Sequence, residues 1–236
     1  MYSARRFAVL ACPLLMVSVA ACTPGASRQD AKPPSLAPST GSSDGKKSDL
    51  SLAEAIGRLK VARESRTGYQ RDKFHLWIDA DHDGCDTRKE VLLAEAVVKP
   101  RKGKNCKLTS GKWRSAYDGK TLTNARQLDI DHVVPLAEAW DSGASKWTAE
   151  RREHYANDLD AERGLIAVSL GSNRSKGDKD PAEWMPPAKD DTCTYATDWV
   201  ATKLRWKLTA DRAEVKALRT VAAGCKNAKV TFRSAP

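Results

Sequence analysis

The sequence lacks the fingerprints of several common enzyme classes. It contains no P-loop, no dinucleotide-binding glycine pattern and no internal repeat. It also lacks a Cys-x-x-Cys pair, the close spacing that is typical of structural zinc sites. These absences argue against a P-loop NTPase, a Rossmann-type dehydrogenase, a repeat protein and a zinc-ribbon domain.

The chain also lacks a hydrophobic run at its start that is long enough to cross a bilayer comfortably. Residues 7–21 are apolar, follow Arg5 and Arg6, and end in Val-Ala-Ala-Cys. This pattern predicts a signal peptide over residues 1–21 and resembles a bacterial lipobox with Cys22 as the acylated residue. We therefore expect an exported protein, either a lipoprotein anchored to the cell membrane or an extracellular protein.

Large apolar residues are almost absent from the next segment. Residues 23–48 are rich in Pro, Ser, Ala, Gly and Lys, and such a composition cannot bury enough surface to fold. We predict that residues 22–48 form a disordered tether and that residues 49–236 form the folded domain.

Basic residues outnumber acidic ones in the chain. There are 40 Lys and Arg against 30 Asp and Glu, and removal of the segment before Cys22 lowers the formal net charge from +10 to +8. A basic surface favours polyanions such as nucleic acid. Charge alone does not identify a nucleic-acid-binding protein, because many exported proteins are basic.

Four cysteines remain in the folded region once the signal segment and the lipobox cysteine are set aside. An even number in an exported chain predicts disulfides rather than a metal site. Four cysteines permit three pairings, and each sequence-local loop contributes about 3 kcal/mol in the chain-entropy estimate. We expect the sequence-local pairs, Cys85–Cys106 and Cys193–Cys225.

Residues 79–90 match the calcium-binding loop of an EF-hand. The pattern has alternating acidic residues, a glycine at the sharp turn and a closing glutamate. Two features disagree with it: Asp86 replaces the usual apolar residue, and residues 74–78 look more like a strand than a helix. The alternative is an acidic turn that the Cys85 disulfide fixes. The residues that would hold Ca²⁺ are Asp79, Asp81, Asp83, Thr87 and Glu90.

Two short apolar segments carry the residues that are most suggestive of chemistry. Residues 128–135 and 165–169 are rich in β-branched residues, which predicts two strands, and residues 171–173 look like the start of a short helix. Together these elements bring Asp131, His132 and Asn173 into one region. A carboxylate and an amide oxygen suit a hard divalent cation, and a neighbouring imidazole can take a proton from water.

The motifs Asp-His-x-x-Pro at 131–135 and Asn-Arg-x-Lys at 173–176 resemble the HNH endonuclease superfamily, in its exported, GmrSD C-terminal-like branch. The resemblance implies an α+β fold with a ββα-metal core over residues 128–187, flanking helices and stabilising disulfides. It also implies a metal-dependent endonuclease that hydrolyses phosphodiester bonds of nucleic acid, with DNA rather than RNA as the expected substrate. The sequence contains no base-reading element, so we expect little sequence preference, and we expect a monomer.

The same resemblance implies roles for individual residues. Asp131 and Asn173 hold one catalytic metal ion, His132 is the general base, and Arg174 and Lys176 bind phosphate. Asn157 fixes the imidazole through the nearby backbone, although an asparagine in this place is equally typical of a helix C-cap.

The motif departs from the commonest three-histidine metal site, because no histidine follows Asn173. We therefore expect Mg²⁺ or Mn²⁺ rather than Zn²⁺. A geometric difficulty accompanies the assignment: Asp131 and His132 are neighbours, and neighbours on a regular strand point to opposite faces. The rival hypothesis is a non-catalytic, calcium-stiffened lipoprotein that binds polyanions.

Three further segments complete the expectations. Residues 91–98 fit a helix or a strand, and the basic residues between 99 and 107 fit either a solvated loop or a phosphate-contacting rim. Residues 195–207 and 210–223 predict two helices that a disulfide clamps over the core.

Overall fold

The computed structural model describes residues 48–236; the signal segment, Cys22 and most of the expected tether lie outside them. The described chain is an α+β fold with two disulfides. Its strands are β1 (Ser48–Ser51), β2 (Lys60–Val61), β3 (Arg101–Lys102), β4 (Leu108–Thr109), β5 (Trp113–Arg114), β6 (Thr121–Leu122), β7 (Leu128–His132), β8 (Leu165–Ser169), β9 (Thr209–Ala210) and β10 (Lys229–Phe232). Its helices are α1 (Leu52–Arg58), α2 (Thr87–Ala94), α3 (Leu136–Asp141), α4 (Ala149–Ala156), α5 (Leu170–Lys176), α6 (Thr192–Trp206) and α7 (Arg212–Gly224).

The strands of the described chain pair two by two. β1 pairs with β10 and β2 with β9, so both ends of this region meet. The remaining pairs are the hairpins β3–β4 and β5–β6 and the pair β7–β8, whose strands are joined by a long connection that contains α3 and α4. All pairs are antiparallel except β2–β9. The Asp118-Gly119 turn that the sequence suggested lies between β5 and β6.

Side-chain caps explain where several helices begin. Ser51 and Glu54 form a reciprocal capping box at α1, and Asp211 accepts from the Glu214 amide at α7. At α5, Ser169 accepts from the Ser172 amide and Gly177 ends the helix at a φ of 56°. The helix therefore begins just after Ser169, earlier than the predicted start near residue 171.

The antiparallel pair β7–β8 lies between two hydrophobic clusters. One face, with Leu128 and Ile130, packs on a cluster that includes Val91 of α2 and Trp113 of β5. The other face contributes to the main core, which also contains α1, α3, α4, α6 and α7 residues. Both faces of this pair are consequently buried, which fixes the direction of each side chain on β7.

The C-terminal helices form the clamped pair that the sequence predicts. Cys193 near the start of α6 is bonded to Cys225 after α7, with Cα atoms 5.6 Å apart. The Cys85–Cys106 bond, with Cα atoms 5.1 Å apart, ties the start of α2 to the β3–β4 region. Both pairs are the sequence-local ones.

A buried ammonium joins the helices α3, α6 and α7. The Lys203 side chain is fully buried and donates to Glu138 at 2.7 Å and to Glu214 at 2.6 Å. The pKa of Glu214 rises to about 7 because burial disfavours its charge, although the Lys203 charge opposes the rise.

Two local expectations differ from the structure or are decided by it. Residues 74–78 form no strand; they follow a 3-10 turn at Arg71–Lys73 and include Trp77 at a φ of 60°. The run after residue 90, which fitted either a helix or a strand, is helical as far as Ala94. It forms the second half of α2, which begins at Thr87 with Asp86 as its N-cap. No helix in residues 48–236 is long and apolar enough to cross a membrane.

Candidate active site

Asp131 is a buried carboxylate that two hydrogen bonds hold through one oxygen. The Lys176 ammonium donates to Oδ2 at 2.7 Å, and the Tyr117 hydroxyl donates to the same atom at 2.6 Å. Burial raises the pKa of Asp131, while the Lys176 charge and both hydrogen bonds oppose that rise. The second oxygen, Oδ1, takes part in neither bond, so it is the atom through which Asp131 can bind a cation.

His132 is held as a neutral base with a defined tautomer. Its Nε2 lies 3.0 Å from the carbonyl oxygen of Ala156. Because a carbonyl only accepts, the proton lies on Nε2 and Nδ1 is the basic nitrogen. Burial lowers the pKa of His132 to about 3, so the ring is neutral at physiological pH.

Two aromatic rings fix the plane of the His132 imidazole. Trp77 and Tyr155 stack on it at ring-centroid distances of 5.8 Å and 6.1 Å, with interplanar angles of 29° and 23°. The His132 residue is 6 % exposed. The orientation of the ring is therefore set before any substrate binds.

Asp131 and His132 leave opposite faces of β7, as regular strand geometry requires. The ladder continues to the pair His132–Leu165, and the Val133 amide still donates to the Gly164 carbonyl at 3.0 Å. Asp131 faces α5, whereas His132 faces Trp77. A substrate group must lie at the end of this strand to contact both side chains.

The Asn173 side chain donates its hydrogen bond to a residue other than Asp131, with which it was predicted to share a metal ion. Its Nδ2 donates instead to Oδ2 of Asp129 at 3.0 Å. Asp129 lies two residues before Asp131, and residues two apart on a strand share a face. Asp129 was not among the residues predicted for the site, although the alternation Asp129-Ile130-Asp131 predicts that both carboxylates lie on one face of the strand.

The structure corrects the role predicted for Lys176. Its side chain is fully buried and donates to Asp131 and to the His132 carbonyl at 2.9 Å. An ammonium in this position neutralises Asp131 and cannot reach a phosphate in solvent. Arg174, the other predicted phosphate ligand, is exposed on the same helix.

Asn157 occupies the C-cap of α4 and also fastens a distant segment to that helix. Its Nδ2 donates to the His75 carbonyl at 2.7 Å, and its Oδ1 accepts from the Ile78 amide at 3.2 Å and the Thr87 hydroxyl at 2.9 Å. The side chain thus fixes both ends of residues 75–78, which include the Trp77 that stacks on His132. The C-cap alternative is observed, whereas the backbone that the Asn157 side chain bonds is that of residues 75–78 rather than that of β7.

The acidic loop brings together four of its five predicted calcium ligands, because Glu90 lies within 4.8 Å of Asp83 and Asp83 belongs to a group of three aspartates. One carboxylate oxygen from each of Asp79, Asp81 and Asp83 lies within 4.8 Å of the others. Oδ1 of Asp79 is buried and has no hydrogen-bond partner within the described chain. Burial, together with the charges of the three aspartates, raises the pKa of Glu90. These carboxylates therefore repel one another, and the Lys102 ammonium offsets part of their charge by pairing with Asp83 at 2.7 Å.

Thr87 does not belong to that group. Its hydroxyl donates to the Ile78 carbonyl at 3.1 Å and to Asn157, and the residue is 2 % exposed. The predicted calcium ligand is instead the link between the acidic loop and Asn157.

The basic residues between 99 and 107 have mixed roles. The Lys99 ammonium caps the end of α2 by donating to the Leu93 carbonyl at 2.7 Å, and Lys102 pairs with Asp83. Arg101, Lys104 and Lys107 are exposed. This segment is therefore partly a structural brace for α2 and the acidic loop.

The donor set around β7 and α5 suits a hard divalent cation. Asp131 offers Oδ1 and Asn173 offers an amide oxygen, while Asp129, on the same strand face as Asp131, accepts a hydrogen bond from Nδ2 of Asn173. Oxygen donors of this kind favour Mg²⁺ or Mn²⁺ over softer metals. The side chains on this strand face therefore fit the ion that the motif implies.

Comparison with known proteins agrees with the motif. The family model described as the C-terminal domain of GmrSD restriction endonucleases matches residues 85–221, a span that contains β7, β8 and α5. A protein from Arthroderma benhamiae named "Uncharacterized secreted protein" is 44% identical over 158 residues, covering 67% of this chain and 76% of that protein. No solved structure matches. The resemblance to HNH endonucleases is thereby confirmed: this chain belongs to the family of GmrSD restriction endonuclease C-terminal domains, which are of the HNH type.

Proposed function

We propose that this protein is a metal-dependent endonuclease that hydrolyses phosphodiester bonds of nucleic acid, preferring DNA and having little sequence specificity. The observation that carries the proposal is the state of His132. Its Nε2 is anchored on the Ala156 carbonyl and its neutral Nδ1 is left as the base, while Asp131, the preceding residue on β7, presents its carboxylate on the opposite face of the same strand end. Family membership supplies the reaction class.

In this proposal, β7, β8 and α5 are the ββα-metal core, within residues 128–187. Strand β7 of the antiparallel pair β7–β8 supplies Asp131 and His132, and α5, which follows β8, supplies Asn173. Asp131 through Oδ1 and Asn173 through its amide oxygen hold one Mg²⁺ or Mn²⁺ ion, which when bound stabilises negative charge on the phosphate oxygens.

His132 takes a proton from the attacking water at Nδ1. The hydrogen bond from Nε2 to Ala156 stabilises the imidazolium that forms, and the stacked rings keep Nδ1 in one direction. Burial opposes protonation of the ring, but a bound phosphate brings negative charge that raises its pKa again. Lys176 keeps Asp131 ionised and in place while this happens.

The substrate is held mainly by charge. Arg174 is exposed one residue beyond Asn173 on α5, and the chain carries a net positive charge of +10. Phosphate contacts of this kind position a nucleic acid without reading its bases. The lack of a recognisable base-reading element supports low sequence preference.

We further propose that the 79–90 loop binds Ca²⁺ through Asp79, Asp81, Asp83 and Glu90. The unpartnered Asp79 oxygen and the mutual repulsion of the carboxylates support this, and Cys85 is excluded as a ligand by its disulfide. Lys102 has to release Asp83 when the ion binds. Bound Ca²⁺ stiffens the 79–90 loop, which follows residues 75–78. Thr87 and Asn157 hold that segment in place, and its Trp77 stacks on His132.

We propose that the mature protein is exported, with a signal peptide over residues 1–21, a lipid on Cys22, a tether to residue 48 and a monomeric nuclease domain over 49–236. The two disulfides and the name of the Arthroderma relative support export. Intact-mass spectrometry of the membrane fraction would identify the modified cysteine, and an unmodified Cys22 would contradict the lipid anchor.

The test of the function uses the purified mature chain with supercoiled plasmid and, separately, with RNA. We expect plasmid nicking that requires Mg²⁺ or Mn²⁺ and stops with EDTA. The rival hypothesis, a calcium-stiffened lipoprotein that binds polyanions without cutting them, predicts a mobility shift of the plasmid with no change in its topology.

A further inference from the structure

A ladder of two polar contacts joins α5 to the face of β7. Asn173 and Lys176 lie three apart on one face of the helix, and they meet Asp129 and Asp131, which lie two apart on one face of the strand. Each side chain proposed to hold the metal is therefore supported by a partner on the facing element. Lys176 supports Asp131, and Asp129 supports Asn173.

The contact between Asn173 and Asp129 determines which end of the amide faces away. A carboxylate only accepts hydrogen bonds, so the amide must present Nδ2 to Asp129, at the observed 3.0 Å. The amide oxygen leaves the same planar carbon on the other side. Without such a partner, an asparagine amide can rotate by half a turn and present its NH₂ group to the cation instead of its oxygen.

We propose that Asp129 is a positioning residue that orients the Asn173 amide so that its oxygen, and not its nitrogen, is available to the catalytic metal. This inference rests on the proposed function, because it assumes that Asn173 is a metal ligand. Asp129 itself acts through Asn173 and does not bind the ion. Supporting residues of this kind typically change metal affinity by about 10–100-fold when they are removed.

The experiment measures Mn²⁺ affinity by calorimetry and by electron paramagnetic resonance, with no substrate present. All variants carry Asp81→Ala, so that the acidic loop contributes no binding. We expect Asp129→Ala to weaken Mn²⁺ binding about 10-fold or more. Asp129→Asn keeps an acceptor oxygen for Nδ2 of Asn173, so its Mn²⁺ affinity should stay within about threefold of the parent. A threefold change is less than half of the 1.4 kcal/mol that corresponds to a tenfold change.

A second background isolates amide orientation from every other effect of Asp129. In Asn173→Asp the ligand has two equivalent oxygens and needs no orientation, and Asp129 then adds only repulsion between carboxylates. Adding Asp129→Ala to Asn173→Asp should therefore leave Mn²⁺ affinity unchanged or raise it, the opposite of its effect beside Asn173. Asp49→Ala, which removes an exposed aspartate from a strand, is the matched control and should change nothing.

Two results would overturn the inference. Equal losses in Asp129→Ala and Asp129→Asn would mean that Asp129 acts through its charge, as a direct ligand. A loss on adding Asp129→Ala to Asn173→Asp would mean the same. If the parent protein binds no Mn²⁺ while remaining folded by circular dichroism, the proposed metal site itself fails, which is a separate outcome from a failure of Asp129 alone.

Discussion

Asn157→Ala should loosen the segment that covers His132 and destabilise the whole domain. The Asn157 side chain makes four hydrogen bonds, of which three join α4 to residues 75–78 and to the start of α2 and one lies within α4. The partners are the His75 carbonyl at 2.7 Å, the Glu153 carbonyl at 2.9 Å, the Ile78 amide at 3.2 Å and the Thr87 hydroxyl at 2.9 Å.

The magnitude follows from the net value of a hydrogen bond in a protein. Each contributes about 0.5–1.5 kcal/mol, but the Glu153 bond lies within one turn of helix and the Thr87 hydroxyl keeps a second acceptor at the Ile78 carbonyl. The loss should therefore be about 2–3 kcal/mol rather than the sum of four full bonds. A change of this size exceeds that of most surface substitutions.

The assay is urea unfolding of the mature, disulfide-bonded domain, with Asn227→Ala as the matched control because Asn227 is exposed. Thr87→Val in both backgrounds gives a double-mutant cycle. Because the Thr87 hydroxyl and Asn157 share a hydrogen bond, we expect a coupling energy of about 0.5–1 kcal/mol or more.

Nuclease activity should fall together with stability, because both groups that hold the His132 imidazole depend on Asn157. Trp77 lies in the segment that Asn157 bonds, and Ala156, whose carbonyl accepts from His132, is the preceding residue. If Asn157→Ala unfolds within about 0.5 kcal/mol of the wild type, the size of an ordinary surface substitution, Asn157 is only a helix cap and the reasoning is refuted.

Three other predictions concern charge. Burial lowers the pKa of His132 from 6.5 to about 3, so between these two pH values the unfolded chain binds a proton that the folded chain does not. The free energy of unfolding should therefore fall as the pH drops from about 6.5 to 3, by up to about 1.4 kcal/mol per pH unit. Parallel pH titrations of stability in the wild type and in His132→Asn measure this difference. Lys203→Met leaves Glu138 and Glu214 buried without their cation and should cost about 3–5 kcal/mol in urea unfolding at neutral pH and less in acid; a neutral effect would show that the pair is not a stabilising one. Saturating Ca²⁺ at a hundred times its Kd should stabilise the wild type by about 2.7 kcal/mol in thermal unfolding and leave Asp81→Ala unchanged; equal melting points with and without Ca²⁺ would favour a disulfide-fixed turn.

The elements of the catalytic region could be predicted from sequence because their patterns are local. Alternating and β-branched residues mark β7 and β8, and the cysteine spacing favoured the two disulfides that the structure contains. Family membership was visible in two short motifs. These signals do not depend on how distant parts of the chain meet.

The contacts inside the site could not be predicted, because they depend on which distant side chains meet. Nothing near Lys176 in the sequence indicates that its ammonium is buried against Asp131 and the His132 carbonyl, so a phosphate ligand was the natural expectation. The partner of Asn173 depends on how α5 crosses β7. Asp129 could have been identified from strand alternation alone, but Asp131 drew attention because it adjoins the histidine.

The most direct test of the account is the metal-dependent cleavage rate of His132→Ala compared with that of Asp131→Ala. The account predicts that folded His132→Ala binds Mn²⁺ and DNA like the wild type but cleaves plasmid about 10²–10⁴-fold more slowly, with partial recovery at high pH where hydroxide replaces the base. Asp131→Ala should lose activity together with Mn²⁺ affinity, and high pH should not restore it. Cleavage by a folded His132→Ala at the wild-type rate would contradict the account, because the buried, oriented imidazole would then have no part in the chemistry.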